Sequence, residues 1–176
     1  IFNIYKNNFI KIFSKFKIDV IFIKDNESSK SFKEYKKTVE KLIKFKCDRK
    51  TTLIAFGGGV VGDLTGFVAS TYMRGIEFIQ IPTTLLSMID SSIGGKNGIN
   101  LSKGKNLVGT FYQPKLILVD PSLIQTLPKK EIISALGEMI KYGVISSLEF
   151  LRYLNLNIDK MIMKKNIDII EGAIET

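Results

Sequence analysis

The chain has 176 residues, enough for one ordinary domain with a hydrophobic core and too few for two. Apolar residues make up 45% of it, which excludes a charge-dominated unfolded chain, and no run approaches the ~20 apolar residues needed to cross a bilayer. The net charge of +9 comes from lysines scattered through residues 1–50 and 160–165, with no aromatic platform or reader motif, so it marks no nucleic-acid partner.

The first twelve residues mix Lys and Asn with apolar residues and do not form a signal-peptide core, so a soluble, cytoplasmic protein without a membrane partner is expected. A single Cys47 excludes an intrachain disulfide and a Cys-cluster zinc site, and reads as a reduced thiol near the end of a helix. Because the sequence begins at Ile1 and not at Met, it is expected to be a fragment or a processed form.

In chain order, Lys17–Asp25 encloses Val20-Ile21-Phe22-Ile23 and predicts a buried strand. Ser31 followed by Glu34 is a capping-box pattern that opens a helix through about Lys46, with Val39, Leu42 and Ile43 inward. Thr51–Phe56 predicts a second strand, Gly57-Gly58-Gly59 a turn, and Val60–Met73 a helix. Phe78–Ile81, ended by Pro82, predicts a third strand, with a helical stretch at Leu85–Ile89. The repeated order of strand and helix predicts an α/β, Rossmann-like, mostly parallel sheet with covering helices. Gly94–Thr110 predicts a hairpin or excursion and Leu116–Val119 another strand; Asp120-Pro121 is a helix start, and Pro128–Thr176 is helical. Residues 1–127 are therefore expected to form the α/β unit, and residues 128–176 the first helices of an α-helical second domain.

Gly57 to Gly62 satisfies G-x-G-x-x-G between a strand and a helix, where glycines let a pyrophosphate approach backbone N–H groups at the helix start; a packing turn is the alternative. The acid that normally holds the ribose at the end of the next strand is missing, since that strand ends Ile81-Pro82-Thr83-Thr84, so an ordinary Rossmann dehydrogenase is excluded. Asp25 and Glu27, at the end of the preceding strand, are available instead. Asp63 is either part of such a site or a favourable charge in a helix's first turn. Arg74, Asp90, Lys96, Lys105 and Asn106 lie in or beside glycine-rich segments and form either an anion site or a solvated loop. Glu138 and Lys141, three apart on a helix whose apolar face is Ile132, Leu136, Met139, Ile140 and Val144, are either a surface ion pair or a carboxylate ligand beside a cation. A zinc site normally takes three protein ligands, and this chain has no His to complete one.

The run GGGVVGDLTGFVASTYMRGIEFIQIPTTLLSMIDSSIGGKNGIN, Gly57 to Asn100, resembles the central signature of the 3-dehydroquinate synthases, and GKNLVGTFYQP and GEMIKYG continue it in register. The likeness covers about Asp25 to Val144 and is loose beyond. It implies NAD binding at Gly59, Val60, Val61, Gly62, Asp63, Thr83 and Thr84, with Asp25, Glu27, Lys30, Leu123 and Thr126 as further contacts. It also implies cofactor and substrate contacts for Lys96 and Lys105, substrate contacts for Arg74, Asp90, Asn106 and Lys141, and the first ligand of a divalent metal, zinc or cobalt, in Glu138. The implied reaction is the NAD-dependent cyclisation of 3-deoxy-arabino-heptulosonate 7-phosphate, a phosphorylated sugar acid, to 3-dehydroquinate with loss of phosphate, a step of the shikimate pathway to aromatic amino acids. A homodimer is an open expectation of the same resemblance.

Two departures from the family pattern, Asn26 where Gly is usual and Asn97 where Thr is usual, are expected to loosen contacts. Without the family's zinc histidines, the 176 residues alone are expected to be inactive. A related sugar-phosphate cyclase and a non-catalytic NAD-binding remnant are the competing readings.

Overall fold

The computed structural model describes residues 1–175. The chain opens with helix α1 (Phe2–Ile12), whose aromatic residues recur every three or four positions, so that Tyr5 and Phe9 fall on one face and pack around Phe56. Helix α2 (Phe32–Lys44) starts where the Ser31 hydroxyl accepts the Glu34 N–H at 3.3 Å. Strand β1 (Leu53–Gly57), helix α3 (Gly59–Thr71) and strand β2 (Phe78–Pro82) then form a β-α-β crossover. A short helical stretch follows and ends in a π-helical turn, Ser87–Ser91, closed by the Ser92 N–H on the Ser87 carbonyl. Strands β3 (Lys96–Leu101) and β4 (Gly104–Phe111) make an antiparallel ribbon, and β5 (Leu116–Ile117) returns to the sheet. A 3₁₀ turn, Pro121–Thr126, capped by the Asp120 carboxylate, leads to α4 (Lys129–Ser146), α5 (Leu148–Lys164) and α6 (Ile167–Glu175). No helix among the described residues is long and apolar enough to cross a membrane.

The sheet is parallel, in the order β1-β2-β5, with Leu53 opposite Phe78 and Gly57 opposite Pro82. Alternation along the strands divides its side chains between two cores. Leu53 and Phe78 join Leu64, Phe67, Val68 and Ile99 under α3, α2 and the ribbon. Ile54, Phe56, Ile79 and Ile81 meet α1 and α4–α6, where Ile124, Ile132, Met139, Met161 and Ile170 are fully enclosed. The α/β fold with parallel strands and covering helices is therefore as expected, as are the hairpin, the capped starts after Ser31 and Asp120, and the helical stretch from residue 129 on. Thr176 lies outside the described residues.

Other expectations need correction. Residues 17–25 form no strand: Val20 and Phe22 are exposed, while Ile21 and Ile23 lean on the α3-side core, so an apolar run packs here without a ladder partner. Asp25 and Glu27 are consequently not at a strand end. Glu27 opens a 3₁₀ turn, Glu27–Ser29. Ile43 on α2, and Ile140 and Val144 on α4, point outward, because a single core needs a narrower stripe than the sequence offers. The expected strand Leu116–Val119 shortens to two residues.

Both unusual Asn residues are bonded into their own surroundings. Asn26 Oδ1 accepts from the Ser28 and Ser29 hydroxyls at 2.8 and 3.0 Å, tying the 3₁₀ turn to itself. Buried Asn97 donates to the Gly95 and Tyr112 carbonyls, both at 2.8 Å, and clamps the base of the ribbon. Its carboxamide lies so close to α3 that a Cβ on Gly66 would overlap it. Gly66→Ala should therefore lower stability by about 1–3 kcal/mol, through overpacking against a side chain that two hydrogen bonds prevent from yielding, as read by urea denaturation.

Candidate cofactor and substrate site

The glycine turn joins β1 to α3. Its glycines have no left-handed backbone; what excludes side chains is close approach. A Cβ on Gly58 would come within 2.9 Å of Thr84 Cγ2, and one on Gly59 within 3.1 Å of Ser91 Oγ. The Gly58 carbonyl accepts from the Val61 and Gly62 N–H groups at 3.0 and 3.1 Å. The N–H groups of Gly59 and Val60 begin the helix, with no carbonyl a turn back to bond, and carry the positive end of its dipole. Thr83, buried, closes the turn from below by donating its N–H to the Gly57 carbonyl at 3.0 Å. Thr84 and Ser87 exchange side-chain and backbone bonds that fix the start of the next helical stretch.

Beside this turn lies a buried ammonium. Lys30, 5% exposed, donates to Asp63 Oδ2 and to Asn106 Oδ1, each at 2.6 Å, and lies 3.7 Å from Glu27 Oε1. Burial pushes the Asp63 carboxyl above its ordinary range, against the lowering pull of Lys30. Asn106 has a φ of 55°, a left-handed conformation that Asn tolerates better than most residues. Asn100 completes the group: its side chain binds Glu27 and the Asn106 N–H, and its own N–H donates to the Lys30 carbonyl. A cleft of about 500 Å³ opens here, lined in part by Glu27, Lys30, Asn100 and Lys105.

A second group links the π-helical turn to α4. The Tyr142 hydroxyl donates to Asp90 Oδ1 at 2.8 Å, Lys141 bonds Glu138, and the Lys141 ammonium lies 4.8 Å from the centre of the Tyr142 ring. The bond from Lys141 pulls the Glu138 carboxyl below its ordinary range. Burial and the Asp90 bond push the Tyr142 phenol upward.

The structure thus brings together Glu27, Lys30, Asp63 and Asn106, and separately Asp90, Glu138 and Lys141. Arg74, Lys96 and Lys105 are exposed, and among the described residues none of them bonds another member of the predicted set. Arg74 follows Met73 in a turn where both take positive φ, 70° and 50°. Asp25 is exposed. Leu123 is a core residue, and the Thr126 hydroxyl donates to its carbonyl at 3.2 Å. Among the described residues no three His, Cys, Asp or Glu side chains gather as a metal site, and Glu138 stands against a cation. Sequence reasoning missed Asn100 and Tyr142. Both lie inside the matched motifs, but nothing in their residue type distinguishes them from ordinary loop and helix residues.

The same architecture runs through 99% of this chain in a 2-epi-5-epi-valiolone synthase from Streptomyces hygroscopicus subsp. jinggangensis 5008, solved with NAD+ and Zn2+ bound; the TM-score is 0.88, the identity 26%, and 51% of that chain is covered. A 2-deoxy-scyllo-inosose synthase complexed with carbaglucose-6-phosphate, NAD+ and Co2+ aligns over 79% of this chain and 39% of its own, with a TM-score of 0.74 and 28% identity. By fold the chain falls in the class of these α/β enzymes. Residues 20–134 match the family described as 3-dehydroquinate synthase N-terminal, and the chain belongs to that family. The 3-dehydroquinate synthase of Dictyoglomus turgidum is 54% identical over 150 residues, 85% of this chain and 42% of that protein. That of Saccharophagus degradans is 44% identical over 173 residues, 98% and 48% respectively. The chain spans about half the length of the curated relatives it matches.

A carboxyl whose pKa is raised on folding adds stability below its unfolded value of about 3.8, and that contribution is lost as pH rises through the folded value. The unfolding free energy of the chain relative to Asp63→Asn should therefore fall as pH is raised from 3.5 to 6.5. Paired urea titrations across that range would show the slope; a difference that rises with pH would contradict the burial-dominated shift.

Proposed function

We propose that this chain is the NAD-binding half of a 3-dehydroquinate synthase, a phosphate-eliminating lyase of the cytoplasm acting on 3-deoxy-arabino-heptulosonate 7-phosphate. The observation that carries the reading is the start of α3, where the Gly59 and Val60 N–H groups open the helix directly after β1 and its glycine turn. Such a helix start suits a pyrophosphate, and the NAD+ of the two aligned cyclases supports the same assignment. The identity of 44–54% to 3-dehydroquinate synthases, against 26–28% to the other cyclases, favours that substrate over theirs.

In this reading Gly59 and Val60 offer N–H groups to the pyrophosphate, while Asp25, Glu27 and Asp63 accept from ribose hydroxyls. Lys30 keeps Asp63 in place by holding its other oxygen. NAD, when bound, supplies a reversible hydride acceptor for one substrate hydroxyl. Arg74, Lys96 and Lys105 supply cations for the phosphate and carboxylate, and Asp90, steadied by Tyr142, accepts from a substrate hydroxyl. The described residues do not by themselves fit a divalent metal, since Glu138 has no second or third ligand nearby, so no step is assigned to one. Turnover by the 176 residues alone is expected to be negligible.

Calorimetric titration of the chain with NAD tests the cofactor half. Saturable one-to-one binding is expected, weakened at least tenfold by Gly59→Val, which crowds Ser91 and displaces the helix start, and by Asp63→Ala, which removes a ribose acceptor. A folded chain that binds no NAD, or variants that bind it unchanged, would overturn the reading.

A further inference from the structure

Asn100 ties together three residues of the site: Glu27, Asn106 and Lys30. Its Nδ2 donates to Glu27 Oε1 at 2.7 Å, with the Glu27 carbonyl at 3.5 Å. Its Oδ1 accepts the Asn106 N–H at 2.9 Å, and its backbone N–H donates to the Lys30 carbonyl at 2.8 Å. The two ends of the carboxamide cannot be exchanged. Turned over, an oxygen would face the Glu27 carboxylate and an NH₂ would face the Asn106 N–H, both unfavourable.

The two partners need this help for different reasons. The Glu27 side chain is 46% exposed, and its other contact, Lys30, lies 3.7 Å away, so the bond from Asn100 is the shorter restraint on its carboxylate. Asn106 sits in a left-handed conformation at φ 55°, and the bond to its N–H holds the peptide that aims its carboxamide at Lys30. One residue on β3 therefore fixes an acid on the cofactor side and an amide on the substrate side.

We propose that Asn100 is a positioning residue that sets Glu27 for the cofactor and Asn106 for the substrate through the two ends of one carboxamide. The inference rests on the NAD-binding reading above. It is tested by a double-mutant cycle in NAD affinity, with Asn100→Asp, Glu27→Gln and the two combined, each checked for folding by circular dichroism. Asn100→Asp keeps the acceptor for Asn106 but places a carboxylate against Glu27, and should weaken NAD at least tenfold. Combining it with Glu27→Gln restores a donor and an acceptor in reversed order, so the pair should bind NAD no more weakly than Glu27→Gln alone. A purely structural role predicts altered melting with additive effects on affinity. Asn100→Ala, which removes both ends, provides a second reading of the loss. If the wild-type chain binds NAD and both Asn100 variants bind it equally well, this inference alone is overturned; if the wild-type chain binds none, the cofactor reading falls and this one with it.

Discussion

A lysine ammonium taken out of water needs acceptors on most sides, and at Lys30 they come from three parts of the chain. Asp63 comes from the first turn of α3, Asn106 from β4, and Glu27 from the turn just before Lys30 itself. The segment at 26–31 has no place in the sheet, so these bonds, with that of Asn100 to the Lys30 carbonyl, fasten it to the site. Loss of one partner from a buried pair of this kind typically costs about 3–5 kcal/mol, more than the net worth of several ordinary hydrogen bonds. The geometry of the cleft is thus inseparable from the charge at its floor.

Burial raises the carboxyl of Asp63 in spite of that charge, which pulls the other way. An acid held only for stability would be better placed where water or several N–H groups lower its pKa. Here burial outweighs the ion pair. The second group has the opposite balance: Glu138, beside Lys141, is held in its ionised form, and Tyr142 remains a donor to Asp90. The α/β sheet and the following helices meet at that Tyr142 bond as well as through their shared core.

Most of the architecture was legible in the sequence because its signals were local. The glycine turn, Pro82, the Ser31 cap and the Asp120-Pro121 start each specify a boundary by their own backbone chemistry, and each boundary lies where those residues put it. Residues 17–25 misled because a short apolar run looks the same whether it finds a ladder partner or lies against a core, and only tertiary contacts decide. Helix α1 was missed although Phe2, Tyr5, Phe9 and Phe13 recur at helical spacing, since interleaved Lys and Asn obscure the stripe. At the candidate site, the motif residues stood out by type and spacing, but Asn100 and Tyr142 did not. Their roles are set by partners 73 and 52 residues away, a separation that no pattern of neighbours encodes.

Helix α3 carries small residues against polar ones: Gly59 faces Ser91, Gly62 faces the Gln80 carboxamide at 2.9 Å from a would-be Cβ, and Gly66 faces Asn97. None of the three has a positive φ, so in each case it is the neighbouring side chain, and not the backbone, that an added Cβ would crowd. The constraint therefore belongs to pairs of positions. A shorter residue at 80 or 97 would open the room that alanine at 62 or 66 needs. A lineage that replaced one member of a pair alone would carry the misfit in its fold until the other followed.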